Sequence, residues 1–165
     1  MSNQTSEYKQ HLELIREIKY FSAVSLEAQK VLAYLCVRET FQKGETVFKT
    51  GDIDLSAYHL LDGRLEIFID GLDEPIGHFK QGDFFGALTL LGESPRLFTL
   101  KAAEQTNCIR LTKDKFTKVR EQFPELSDKF MLMTVEDVNT WEKRFLKHMV
   151  PECAGCLSTL GLTLI

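Results

Sequence analysis

The residues best placed to do chemistry lie in the run GDFFGALTLLGESPRLFTLKA, from Gly82 to Ala102. Gly82 and Gly86 frame an aromatic step, an apolar turn follows, and Pro95-Arg96 closes the loop. Glycines let the backbone approach a ligand closely, N–H groups at the start of a helical turn face negative charge, and arginine offers a bidentate partner. The chemistry this order of parts suits is the holding of an anion such as a phosphate. A second reading stays open beside it: Arg96 is a structural arginine paired with Glu93, Asp83 or another carboxylate.

Bond-making chemistry has no comparable signal. The chain contains no G-x-S-x-G, no H-E-x-x-H and no Walker loop. His59 and His78 fall on expected strands without an H-x-H spacing, and are expected to be partly exposed strand residues, not metal ligands. Cys36 and Cys108 sit in apolar segments, where a thiol behaves as a small hydrophobe. Cys153 and Cys156 form a C-x-x-C that suits half a zinc site or a redox pair, with no second pair nearby to complete it. No catalytic residue, metal or cofactor is expected.

The elements that must position the loop follow from periodicity. Tyr8, Leu12, Ile15, Ile18 and Phe21 recur at three- and four-residue steps behind a candidate cap at Ser6, predicting a helix over 8–21. A second helix follows Ser25, with Leu26, Val31, Leu32 and Leu35 marking its core side. From Val37 to about Leu111 the pattern changes to short β-branched and aromatic runs separated by Gly-containing turns, which predicts antiparallel β structure. Its clearest hairpin joins 57–61 to 64–69 at Asp62-Gly63. After Leu111 helix returns: a short one capped by Thr112, a break at Phe123-Pro124, then a long helix to Met149, roughly 39 Å at about 1.5 Å per residue.

That long helix carries Leu126, Phe130, Met133, Val138, Trp141, Phe145 and Met149 near one stripe. A small β-domain cannot cover the whole stripe, so Phe130, Met133, Val138, Trp141 and Phe145 are expected to form a homodimer seam. The competing arrangement folds the first helix of the same chain back over it. The division is therefore 1–36 helical, 37–111 β with the loop 82–102, 112–149 helical, and 150–165 a tail whose last nine residues are apolar.

Composition bounds the function. The 165 residues suffice for one domain with a hydrophobic core; 44% are hydrophobic and 27% charged, as in ordinary globular chains. A net charge of −4 opposes a nucleic-acid surface, which needs clustered Lys and Arg. The polar start MSNQTSEYKQ is not a signal peptide, and no run is long enough to span a bilayer, so the cytoplasm is the expected location.

These residues resemble the cyclic-nucleotide-binding domain of catabolite-activator-type regulators and of the regulatory subunits of cyclic-nucleotide-dependent kinases. The resemblance runs from about Phe21 to Met149 through Phe41-Gln-Lys-Gly-Glu45, Val47-Phe48, Gly51-Asp52, Gly63, Gly82-Asp83-Phe84-Phe85-Gly86 and Arg96. It implies an α+β fold: an antiparallel β-roll, jelly-roll-like and akin to a double-stranded β-helix, flanked by N-terminal helices and a long C-terminal helix. It also implies a phosphate cassette of the form FGELALxxxxPRAAT, which aligns without a gap with FGALTLLGESPRLFT. The ligand contacts would then fall on Gly86, Ala87, Leu88, Arg96, Leu97, Phe98 and Thr99.

The departures matter as much as the matches. Ala87 replaces the glutamate that accepts the ribose hydroxyl, a loss of about 1.5–3 kcal/mol, or about tenfold to a hundredfold in affinity. Leu97 and Phe98 replace two small residues beside the phosphate, and overpacking an occupied site costs about 1–3 kcal/mol. Neighbours on a strand face opposite ways, so one of the two is expected to point inward and fill the pocket. Residues 151–165 cannot form a helix-turn-helix. The expectation is a non-enzymatic regulatory module that has lost ordinary cAMP or cGMP binding and acts on a protein partner. Two alternatives remain: a sensor of cAMP, cGMP or another phosphate ligand, and a zinc or redox role for Cys153 and Cys156.

Overall fold

A computed structural model describes residues 2–148 of the chain. Two helices lead, α1 (Ser2–Glu17) and α2 (Leu26–Leu35). Strands β1 (Val37–Phe41), β2 (Thr46–Phe48), β3 (Ser56–Asp62), β4 (Arg64–Phe68), β5 (Gly77–Lys80) and β6 (Phe84–Phe85) come next. A short helix α3 (Ala87–Leu91) interrupts them before β7 (Thr99–Ala102) and β8 (Thr106–Thr112). Helices α4 (Lys113–Gln122) and α5 (Glu125–His148) close the described chain. Each helix and strand predicted for this span has a counterpart.

All pairings are antiparallel, in two four-stranded sheets ordered β1-β8-β3-β6 and β2-β7-β4-β5. The predicted hairpin turns through Gly63, and Leu65 and Ile67 point into the roll while Arg64 is exposed. Ile69, the last residue of the predicted 64–69 strand, lies beyond the observed one and is exposed, because the ladder ends at Phe68.

Three turns at one end of strands share a single local solution. In Gln42–Glu45, Lys49–Asp52 and Lys80–Asp83 the terminal carboxylate accepts the backbone N–H three residues earlier, at 2.6, 2.8 and 2.8 Å. The glycine just before the acid takes φ of 84°, 85° and 89° in turn, a left-handed conformation open to it at little cost. The Gly-Glu and Gly-Asp pairs that dominate the sequence motifs thus serve chain reversal.

Helices cover the outer face of the first sheet. Ile15, Phe21, Leu32, Phe116, Val119, Leu126 and Phe130 are buried there together with Ala57, Ile109 and Leu111 from the strands. Buried Gln29 fastens the turn between α1 and α2, its amide donating toward the carbonyls of Phe21, Ser22 and Val24. Ser25 caps α2 through its hydroxyl, which accepts the Ala28 N–H at 3.4 Å. Ser6, by contrast, does not open α1: the helix begins four residues earlier and stops at Glu17, with Ile18–Val24 folded as turns.

The stripe on α5 also needs correction. Phe130 lies fully inside the chain's own core, its ring 4.7 Å from those of Tyr20 and Phe116. Met133 and Val138 pack partly on the same cluster. Lys19 and Tyr20 both donate to the Asp137 carboxylate and fasten α5 to the segment after α1. This is the fold-back arrangement for Phe130, which cannot serve a seam between copies. Among its described side chains, the large apolar residues that α5 exposes are Met131, Leu132 and Val135. The side chains of Trp141 and Phe145, and the whole of 149–165 with Met149, Cys153 and Cys156, lie outside the described residues.

The buried cysteines fit their apolar surroundings. Cys36 closes α2 and Cys108 lies on β8, both free, and burial pushes each thiol up to about 12. At that value they stay protonated and unreactive at neutral pH.

Candidate functional site

The loop from Gly82 to Ala102 folds around Arg96. At Gly86 the chain takes φ 82°, and a Cβ there would stand 2.7 Å from the Ser56 carbonyl oxygen and 3.2 Å from Arg96 Nη1. Only glycine admits both the conformation and the approach. Thr89, one turn into α3, donates its hydroxyl to the carbonyls of Gly86 and Ser56 at 2.7 and 3.0 Å. The loop is thereby fastened to the start of β3.

Arg96 is held from every side. Its backbone N–H donates to the Asp52 carbonyl at 2.9 Å, and its own carbonyl accepts the Gly51 N–H at 2.8 Å. Its Nη2 donates to the Ser56 carbonyl at 2.6 Å and to Asp54 Oδ2 at 2.9 Å. Its guanidinium carbon stacks 4.2 Å from the centre of the Phe48 ring, an arrangement that favours the delocalised cation. The side chain is only 1% exposed, against 18% for Asp54.

Asp54 is the centre of this arrangement. Besides Arg96, its Oδ2 accepts the Tyr58 hydroxyl at 3.0 Å. Burial, reinforced by the Asp54 charge, pushes the Tyr58 phenol well above its usual range, so it remains a donor. A buried guanidinium without a counter-charge would be strongly destabilising. Here the protein itself supplies a counter-charge, Asp54.

The remaining residues of the loop divide by face. Phe98 is fully buried in the roll, 5.4 Å from the Phe48 ring and 6.3 Å from that of Phe79. Phe79 in turn stacks on Phe85 at 4.3 Å, and Phe85 on Tyr58 at 5.4 Å. Leu97 turns outward and is 57% exposed. Ala87 is fully buried and supplies no polar atom, and Leu88 packs partly against the helical cluster. Thr99 joins β7, its hydroxyl accepting the Thr50 N–H at 3.1 Å.

Of the carboxylates named for Arg96, neither Glu93 nor Asp83 takes that role. Glu93 is largely exposed and stands 3.9 Å from Lys113, while Asp83 accepts the Lys80 N–H. Asp54, Phe48 and Tyr58 complete the site without having been singled out. Their signal was available only in register: Asp54 follows the Gly51-Asp52 turn, whose backbone pairs with Arg96. His59, expected to be partly exposed, is buried at 6% on β3, and burial lowers its pKa despite Glu17 and Asp83. His78 is exposed. Among the described residues no three His, Cys, Asp or Glu side chains group to hold a metal ion, and no helix is long and apolar enough to cross a membrane.

The segment that contains this loop also matches known proteins. The family model described as "Cyclic nucleotide-binding domain" matches 38–123. A cAMP-dependent protein kinase regulatory subunit from Emericella nidulans is 35% identical over 79 residues, which is 48% of this chain and 19% of that protein. A cGMP-dependent protein kinase from Plasmodium berghei is 31% identical over 101 residues, 61% of this chain and 12% of that protein. The chain therefore spans only a small part of these relatives. Among solved structures, the N-terminal domain of a Streptomyces coelicolor transcriptional regulator superposes with a TM-score of 0.69 at 19% identity, covering 79% of this chain and 92% of that one. The regulatory domain of Toxoplasma gondii PKA, crystallised with cAMP, gives 0.67 at 16% identity, covering 82% and 51%. Both share the fold.

Proposed function

Because the chain belongs to the cyclic nucleotide-binding domain family, we propose that it is a non-enzymatic regulatory module whose nucleotide-binding end has become internal structure, and that it acts on a protein partner. The relatives named above include kinase regulatory subunits, and one structural neighbour was crystallised with cAMP; the binding of a cyclic nucleotide is a property of those proteins. In this chain the observation that carries the reading is the state of Arg96: its guanidinium is sequestered against Asp54 and the Ser56 carbonyl, with the Phe48 ring over it.

Two further features work in the same direction. Ala87 offers no acceptor for a ribose hydroxyl, and Phe98 fills the roll beside Phe48 and Phe79. A nucleotide would have to displace a close ion pair and tolerate a ring among close-packed neighbours, where adding or moving even a few heavy atoms costs about 1–3 kcal/mol. Together with the absent carboxylate this moves a micromolar site toward the millimolar range, about a thousandfold.

Titration calorimetry with cAMP and with cGMP tests the proposal. The expected outcome is no saturable heat at sub-millimolar nucleotide. A low-micromolar dissociation constant for either would overturn it and make the chain a ligand sensor.

A further inference from the structure

Between the segment 53–56 and the first turns of α4 runs an open groove of about 660 Å3. One wall is apolar and reaches the surface: Ile53 is 59% exposed. The other is a face of α4, where Asp114, Thr117, Lys118 and Glu121 recur at three- and four-residue steps and so line up. Asp54, the partner of Arg96, also lines the groove.

Charge is unevenly spread over this lining. Asp54, Glu93, Asp114 and Glu121 stand against Lys113 and Lys118 only, and Lys113 is drawn to Glu93 at 3.9 Å. The Thr112 hydroxyl, bonded to Asp114, holds that carboxyl below its usual range, so it is ionised at neutral pH. Beside the groove, the hydrogen bonds of Gly51 and Asp52 to the Arg96 backbone bring Ile53 and exposed Leu97 to the same end of the roll.

From this lining we infer that the groove is the docking site for a basic peptide segment of the partner protein, with an apolar side chain on Ile53 and Leu97 and cationic side chains against Glu121, Asp114 and Asp54. The inference rests on the reading of the chain as a module that acts on a protein. An apolar anchor beside charges of one predominant sign gives a segment both affinity and register. An acidic segment would meet Asp54, Glu93, Asp114 and Glu121, with Lys118 the one lining lysine not already drawn to a lining carboxylate. Because Asp54 serves both the groove and Arg96, a cation docked there draws on the same carboxylate that neutralises the buried guanidinium. Docking is thereby coupled to the interior of the roll.

The test is selection of randomised dodecapeptides displayed on phage against the full chain, followed by fluorescence anisotropy of the recovered peptides. The expected result is enrichment of peptides with net positive charge and at least one large apolar residue. Their affinity should fall about tenfold or more in the Glu121→Lys/Asp114→Asn double variant and in Ile53→Ser, with melting temperatures close to wild type because all three positions are exposed and the amide oxygen introduced at 114 can still accept from the Thr112 hydroxyl. Failure to enrich any peptide, recovery of neutral or acidic ones, or equal binding to the variants would overturn the inference. Nucleotide titration on the same protein separates the two levels: if neither peptide nor nucleotide binds, the docking site falls and the loss of nucleotide binding stands, whereas micromolar cAMP binding removes the broader reading instead.

Discussion

The roll interior and the helical layer are both packed with aromatic rings, yet they are tied together differently. Inside the roll, Phe48, Tyr58, Phe79, Phe85 and Phe98 form one cluster with a buried ion pair at its edge. Under the helices, Tyr20, Phe21, Phe116 and Phe130 form another, but its polar fastenings reach the surface: Asp137 holds Lys19 and Tyr20, and Lys115 donates to the Leu35 carbonyl. In the first region the polar contact centres on Arg96, 1% exposed, with Asp54 at its rim; the second depends on several surface groups.

The largest effects test whether the roll interior is packed as firmly as the helical layer. Phe98→Ala and Phe130→Ala should each cost about 3–5 kcal/mol in urea unfolding, the range for deleting a buried ring. If Phe98→Ala costs under about 1 kcal/mol while Phe130→Ala costs the full amount, the ring in the roll is a loose filler and the comparison breaks. Next in size is Asp54→Ala, which removes the carboxylate paired with the Arg96 guanidinium. Loss of one partner of a buried pair costs about 3–5 kcal/mol, and partial exposure of Asp54 brings the expected loss toward about 3 kcal/mol. A melting temperature unchanged in this variant would mean that Arg96 does not need the carboxylate.

The smallest effect sharpens the contrast at the boundary between the regions. His59 faces the helical layer from β3, and its Nδ1 is buried with no hydrogen-bond partner among the described residues. Burial holds its folded pKa below the ordinary 6.5, the opposing pull of Glu17 and Asp83 being weaker. The unfolded chain therefore takes up the proton first. Stability is full above about pH 6.5 and declines as the pH falls toward the folded value, by no more than about 1.4 kcal/mol per pH unit from this group. Urea unfolding of wild type and His59→Gln at about pH 7.5 and about pH 5.5 should show a smaller acid loss in the variant. Equal losses in both would remove His59 from the account.

Much of the architecture was legible because local chemistry and global fold agree. The Gly-acid pairs reverse the chain where they stand, Ser25 caps α2, and Pro124 separates α4 from α5. Ser6 misled because a good cap residue also tolerates a helix interior, and nothing in the sequence stops α1 from starting at Ser2. Strand alternation implied that one of Leu97 and Phe98 turns inward without deciding which, and it is Phe98. The partner of Arg96 did not, since Asp54 reaches it across 42 residues through a backbone pairing with no local signature. Phe130 was misplaced for the same reason: an apolar stripe states that it will be covered, not by which surface. The burial of His59 depends on the helical layer that covers its sheet, built from elements far apart in the chain.

The two shielded cysteines give each region its own clock. Cys36 belongs to the cluster beneath the helices and Cys108 to the one inside the roll, so an alkylating reagent reaches each only when its own compartment opens. Labelling followed residue by residue in a mass spectrometer thus times helical-layer release and roll opening separately in the unmodified chain, with no dye or engineered thiol required.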